Sequence, residues 1–333
     1  MIVSSAPLRF SLVGGGSDLP SFTDHSIGRV VSASIDKRVY ITLNHSFSNK
    51  YRIAYSKLEI VDSIESIDHI LVKSCLKKVD WRGPALEITS IADVPSSGTG
   101  LGSSSAFTVA LLFGLYAMQG KRVTRHEIAV QACEVEIGMA GSPIGRQDQF
   151  ASAIGGLNEF TFHKDVVDVN RISSRVIKRN EHILRKLNNN LMFFHLEAPR
   201  NANRILETQS NLIMQDVISQ SLTTQLADLA TLAKKSLARG DLAELGSLMT
   251  LGWEIKSKLN GDFENHNLVK MIDFVKQPHI FGGKLLGAGA SGFFAILVKP
   301  ENHGYVNASI SQDFKAFPIK LANSGPKVQQ MGR

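Results

Sequence analysis

The sequence predicts an α+β protein of two domains. Strand patterns crowd the first half, long helical patterns fill the middle, and an apolar hairpin with a glycine-rich turn comes late. Leu8 to Val13 is an apolar, strand-like run that contains Arg9. Val30 to Leu43 alternates and is rich in Val, Ile and Ser, which predicts a strand pair or one long bent strand. Tyr51 to Ile60 reads as a further strand, and Asp62 to Val79 carries Ile64, Ile67, Ile70, Leu71 and Cys75 at helical spacing. Ala85 to Ile91 alternates again. A helix over Ser104 to Gln119 should stop at Gly120, and Thr124 with Glu127 predicts a capping box for a helix running to Ile137. Leu157 to Phe162 and Asn190 to Leu196 read as strands. Helices are expected over Asn203–Gln209, Ser221–Arg239 and Leu242–Asn260, and a hairpin over Gly282–Val298. The polar, basic stretch from Ser174 to Asn190 suits a boundary, dividing the chain into residues 1–178 and 179–333.

The bulk properties narrow the function. With 333 residues and 43% hydrophobic content the chain can bury a sizeable core, and 20% charged residues argue against wholesale disorder. A formal net charge of +7 suits anionic ligands in general. The basic residues are scattered, and pairs such as Lys77-Lys78 and Lys234-Lys235 lack any accompanying nucleic-acid motif, so no nucleic-acid partner is expected. Two cysteines, Cys75 and Cys133, do not make a disulfide framework. The first ten residues lack a secretory pattern, and the longest apolar run, Ala106 to Met118, is too short for a bilayer. These features predict a soluble cytoplasmic protein with no membrane partner.

The most informative stretch is Ser96-Ser97-Gly98-Thr99-Gly100-Leu101-Gly102-Ser103-Ser104-Ser105, which runs straight into an apolar helix. Glycines let backbone approach a ligand closely, and the first amides of a helix have no internal partner and sit at its positive end. A phosphate is the natural occupant. Gly287, Gly289 and Gly292 match G-x-G-x-x-G, but an apolar strand follows where a dinucleotide fold needs a helix, so a tight turn is the better reading. Histidines show no metal-ligand spacing, and no G-x-S-x-G elbow is present. Taken alone, Asp148 reads as a cap or turn former in a polar loop, Glu134 and Glu136 as a solvated helix face, and Asp18 as a turn residue. Arg9 is different, because a charge in an apolar strand needs an anionic partner. Together these residues could supply a phosphoryl-transfer kit of amides and hydroxyls, oxygen ligands for Mg²⁺, a base and a cation.

The ordered segments Ala6–Asp18, Pro95–Ala106 and Lys284–Gly292 resemble the three motifs of the galactokinase, homoserine kinase, mevalonate kinase and phosphomevalonate kinase (GHMP) superfamily. That resemblance implies an N-terminal ATP-binding domain like ribosomal protein S5 domain 2 and a ferredoxin-like α+β C-terminal domain, with ATP and Mg²⁺ as cofactors. It implies that Gly98, Gly100, Leu101, Gly102, Ser103, Ser104 and Ser105 wrap the ATP phosphates, and that Ser104 and Glu136 meet Mg²⁺, with Glu134 a lesser candidate. Asp148 matches the catalytic base and Arg9 the basic residue near the transferred phosphoryl group. Asp18 matches the acid that holds sugar hydroxyls, beside Gly15 and Gly16, which stand where galactokinases carry Glu and His. Gly287 and Gly289 would shape the site from the second domain.

Gly14–Pro20, Ser32–Lys37 and the run from Asp148-Gln149 to Asn158 are most similar to the branch of D-glycero-D-manno-heptose 7-phosphate kinases, which phosphorylate the anomeric hydroxyl of a sugar phosphate. For the distal phosphate the candidates are Arg200 or Arg204 with Lys37 or Arg146, since arginine's fork suits a phosphate dianion. Three alternatives stay open: a fucokinase- or galactokinase-like kinase of a free sugar, a non-catalytic sugar or nucleotide sensor on the same fold, and a nicotinamide-dependent enzyme. The expected partner is a small sugar or sugar phosphate, and the protein a monomer or homodimer.

Overall fold

Two antiparallel-rich sheets meet at the site. The structure is a computed structural model that describes residues 1–95, 99–173, 180–196, 210–213, 216–259, 266–287, 292–310 and 314–332. Its strands are β1 (Ile2–Val13), β2 (Gly28–His45), β3 (Tyr51–Ala54), β4 (Leu58–Val61), β5 (Leu86–Ala92), β6 (Leu157–Phe162), β7 (Val167–Arg171), β8 (Leu191–Leu196), β9 (Ile280–Leu285), β10 (Gly292–Val298), β11 (Lys315–Ala316) and β12 (Lys327–Gln330). The larger sheet runs β12-β1-β2-β5-β3-β4, with β6 paired to the early part of β2 and β7 paired to β6. The smaller sheet runs β11-β8-β10-β9.

β2 is the one long bent strand: Gly28 to Ala33 pairs with β6, and Val39 to His45 pairs with β5. Its register against β1 slips between Pro7 and Arg9 and again between Ser11 and Val13. Such bulges bend a strand and re-aim its side chains, and here they flank Arg9. The expected Tyr51–Ile60 strand is instead the β3–β4 hairpin, closed by Tyr55 N donating to Lys57 O at 2.9 Å. The helix expected from Asp62 is confined to Ile70–Lys78.

The Ser103–Met118 helix packs on β1 and β2 and buries most of its faces, which explains its continuous apolar sequence. The Arg125–Cys133 helix opens on the expected Thr124–Glu127 capping box. It continues not as α-helix but as a π-helical segment, Glu134–Met139. In the second half, the Leu242–Leu259 helix packs on β9, and the Val217–Arg239 helix packs against it and on β2. Phe10 of β1 meets Phe193 of β8 edge-on at 5.3 Å, so one apolar core joins the two sheets. The expected Asn203–Gln209 helix and the expected boundary between 178 and 179 lie outside the described residues. Late in the chain, β12 returns to pair with Ile2–Ser5 of the larger sheet. No described helix is long and apolar enough to cross a membrane.

Candidate active site

The site forms where β1, the start of the Ser103–Met118 helix and the start of the Gln147–Ile154 helix converge. Arg9 is buried on β1, and its backbone N–H donates to Leu101 O at 3.0 Å, which fixes the loop before the helix. Its guanidinium donates through Nε to Asp148 Oδ1 and through Nη2 to Asp148 Oδ2, each at 2.6 Å. The remaining Nη1 donates to Gly100 O at 2.5 Å. A planar fork matched to a carboxylate is a strong, oriented pair, and it answers how a charge survives in an apolar strand. Asp148 therefore belongs to the first turn of a helix rather than to a polar loop.

Gly102 precedes the helix in a left-handed conformation, φ 76°, with no side chain capping the helix. A Cβ there would lie 3.1 Å from Asp148 Oδ2 and 3.3 Å from Arg9 Cγ, so glycine is what lets the ion pair approach the helix end. The helix terminus, the carboxylate and the guanidinium thus share one small volume, where amides and dipole favour an anion.

Glu136 lies on the π-helical segment and is fully buried. Ser104 Oγ donates to its Oε1 at 2.5 Å, Ser105 Oγ to Oε2 at 2.6 Å, and Gln149 Nε2 to Oε2 at 2.6 Å. All three donors are neutral. Burial raises its pKa, and these hydrogen bonds only partly oppose that shift. Among the described residues no group of three or more His, Cys, Asp or Glu side chains comes together as a metal site; the buried Glu136 carboxylate beside the Ser104 hydroxyl offers two oxygen donors of the kind a hard cation such as Mg²⁺ takes. Glu134 instead pairs with Lys78 on the Ile70–Lys78 helix.

Asp18 is buried beside the triple glycine. It accepts from Gly16 N and Gln147 N, both at 3.0 Å, and burial raises its pKa despite those bonds. Arg146 is turned away from it. Its Nη1 donates to Lys164 O at 3.1 Å, its Nη2 donates to Thr23 Oγ1 at 3.1 Å and to His163 O, and its guanidinium lies over the Phe162 ring. Lys37 sits over the Phe317 ring. Gly287 touches the loop: its Cβ position falls 2.5 Å from Gly100 Cα, and Phe293 N donates to Thr99 O at 3.2 Å. β9 and β10 pair antiparallel around that turn, so the G-x-G-x-x-G match has no βαβ unit behind it. Gly98, Arg200, Arg204 and Gly289 lie outside the described residues.

Two lysines in the site escape sequence reasoning. Lys256 Nζ donates to Gly287 O at 2.9 Å, and Lys284 Nζ donates to Ser11 O at 3.0 Å and Leu12 O at 3.1 Å. Burial, with the neighbouring Arg9 cation adding, pushes their pKa values down to about 8 and about 7. Lys284 opens the third glycine-rich motif, a signal that marks the segment without giving the lysine a role.

The family model described as the GHMP kinases N terminal domain matches residues 70–156, and that described as GHMP kinases C terminal matches residues 233–304. A D-glycero-alpha-D-manno-heptose 7-phosphate kinase of Campylobacter jejuni is 26% identical over 315 residues, covering 90% of this chain and 90% of that protein. A bifunctional fucokinase/GDP-fucose pyrophosphorylase of Arabidopsis thaliana is 27% identical over 342 residues, covering 95% of this chain but 32% of that longer protein. The crystal structure of a D-glycero-D-manno-heptose 1-phosphate kinase from Bacteriodes thetaiotaomicron superposes with a TM-score of 0.79 at 24% identity, covering 100% of both chains.

Proposed function

We infer, from the premise that this chain is a kinase of the GHMP superfamily with both of its domains, that it phosphorylates the anomeric hydroxyl of a sugar phosphate with ATP. The acceptor class is that of D-glycero-D-manno-heptose 7-phosphate, giving a 1,7-bisphosphate and ADP. Similarity to the Campylobacter jejuni heptose 7-phosphate kinase along nearly the full length of both proteins supports this class. The observation that carries the reading is the Arg9–Asp148 pair standing at the uncapped start of the Ser103–Met118 helix.

In this reading the amides of Gly100 to Ser103 hold the nucleotide's terminal phosphates. Asp148 orients the acceptor hydroxyl through the free lone pairs of its carboxylate and takes the hydroxyl proton. The new bond joins the sugar oxygen to the γ-phosphorus, and the bond from that phosphorus to the β–γ bridging oxygen breaks, leaving ADP. Arg9 orients the Asp148 carboxylate and faces the charge on the moving group. Ser104 and Glu136 would hold Mg²⁺, whose contribution when bound is to neutralise charge on the phosphates. Asp18 holds acceptor hydroxyls.

A second reading, a kinase of a free sugar, draws on the similarity to the fucokinase-containing plant protein over 95% of this chain. One screen separates them. ADP release is followed with heptose 7-phosphate, other sugar phosphates, fucose and galactose, and the product is located by phosphorus-coupled NMR. Turnover on the phosphorylated heptose with phosphate appearing at C1 is expected. Turnover on free sugars alone replaces the acceptor class, and no ATP-dependent product on any sugar overturns the proposal.

A further inference from the structure

Lys256 and Lys284 are positioned on elements of the second half; Lys284 points its ammonium at Ser11 and Leu12 of the first half's strand, and Lys256 donates to Gly287 O in the turn that touches Gly100. Each side chain is half-buried, and each ammonium is held only by main-chain carbonyls among the described residues. Neither makes an ion pair with a described carboxylate, although Asp18 and Asp148 lie near enough to act on Lys256 through space. The nearest charges acting on Lys284 are both positive, Lys256 and Arg9. Arg9 is already forked onto Asp148, so these two half-buried ammonium groups share one further carboxylate, Asp18, and the cluster has room for another anion.

A second observation points to the same place. Ser11 Oγ is buried without a hydrogen-bond partner, and so is Gln147 Oε1. Both face Gly15: a Cβ on that glycine would meet Ser11 Oγ at 3.0 Å, Gln147 Nε2 at 3.2 Å and Gln147 Oε1 at 3.5 Å. Ser11 also supplies a carbonyl to Lys284, and Gln147 Nε2 donates to Asp18 Oδ1 at 3.4 Å. Contacts thus run from Lys284 to Ser11, past Gly15 to Gln147 and on to Asp18, with Lys256 acting on Asp18 through space. The Ser11 hydroxyl is completed by an anion that accepts its proton, and Gln147 Oε1 by a donor such as a sugar hydroxyl.

We propose that Lys256 and Lys284, with the Ser11 hydroxyl, form a seat for a phosphate dianion during phosphoryl transfer. The inference rests on the kinase reading above. The phosphate comes either from the nucleotide as its γ-group or from the acceptor as the ester it already carries. Lysine ammonium groups serve either as point charges, with donors left over after their carbonyl contacts. Seating a dianion there draws a proton onto Lys284 when the free protein holds it neutral.

The test is calorimetry on the full chain at pH 8, in buffers of different ionisation enthalpy. The ligands are a non-hydrolysable ATP analogue with Mg²⁺, heptose 7-phosphate and inorganic phosphate. Uptake of up to about one proton is expected with whichever ligand brings the seated phosphate, because a lysine with a pKa near 7 is mostly neutral at pH 8. Uptake with the ATP analogue identifies the nucleotide as the source, and uptake with the sugar phosphate identifies the acceptor. The uptake should vanish in Lys284→Met. The KM of the ligand concerned should rise roughly tenfold or more in Lys256→Met, as loss of a charge-assisted bond predicts. No proton uptake by the wild-type protein with any ligand overturns the seat. Because that measurement needs no turnover, it stands apart from the sugar screen: proton-linked phosphate binding without sugar phosphorylation keeps the seat and removes the acceptor assignment.

Discussion

Arg9 and Asp148, 139 residues apart in the chain, share two hydrogen bonds of 2.6 Å, and this fork sets the one orientation in which the carboxylate faces the start of the Ser103–Met118 helix. Neither residue is free to rotate without breaking a charge-assisted bond in a buried setting.

The first prediction concerns that pair. Asp148→Asn keeps the shape and one acceptor oxygen but removes the negative charge. Its kcat should fall by roughly two orders of magnitude or more, within the usual range for loss of a general base. The KM for ATP should stay within a few-fold of wild type if the loop amides hold the nucleotide as proposed. Steady-state kinetics decide this, and near-normal turnover rejects the role given to Asp148.

A second expectation follows from Glu136. Its pKa is raised by burial, so between the ordinary carboxylate value and the raised native one the native state binds more protons than the unfolded state. The stability it contributes is present below the unfolded carboxylate value and is lost as pH rises through the raised native value. Without Mg²⁺, Glu136→Gln should therefore gain on the wild type as pH climbs from 4 toward neutrality. With Mg²⁺ and nucleotide the order should reverse, because only the wild type offers an anionic ligand. Chemical denaturation across pH, with and without the metal, provides the measurement.

Lys284 should act in the opposite sense. Burial pushes its pKa down to about 7. Between that value and its ordinary value near 10.5 the unfolded chain binds more protons, so ligand-free stability rises with pH across the window. Lys284→Met should flatten that rise. An unchanged slope would mean that the ammonium is not desolvated as the structure has it.

Gly100 tests the contact between the two halves. It holds φ +68°, and a Cβ would fall 2.5 Å from Leu286 O and 3.0 Å from Gly287 N. Gly100→Ala should cost about 2–4 kcal/mol, combining a strained backbone with a clash against main chain that cannot swing away. Turnover should fall as well, since Gly100 O anchors Arg9. A loss of stability below about 0.5 kcal/mol, the size of an ordinary surface change, would contradict the packing.

The sequence carries the glycine- and serine-rich loop that opens a helix and the capping box openly, because both depend on residue types within a few positions of each other, as Gly102-Ser103-Ser104 and Thr124–Glu127 show. It also carries the anomaly of Arg9, since an apolar strand with one charge implies a distant partner. Other features have no local signature. Asp148 follows Pro143 and Gly145 and reads as loop, yet the Gln147–Ile154 helix starts beside it. Lys256 lies within the expected Leu242–Asn260 helix with nothing local to mark it, and its ammonium meets Gly287 O, 31 residues on. Arg146 reads as an anion binder, but its guanidinium is occupied by the carbonyls of His163 and Lys164. The two strands in Tyr51–Val61 are hard to separate because the turn at Tyr55–Lys57 contains neither Gly nor Pro.

The π-helical turn at Glu134–Met139 carries one residue more than regular helix needs, and Glu136 sits inside it. Such a turn is where a helix can lose a residue and close to ordinary pitch while the residues on either side keep their faces. Excising Gly138, which has open space beside it, would relax the turn without taking any side chain out of the interior. The contact at stake is the one between the Glu136 carboxylate and the Gln149 amide.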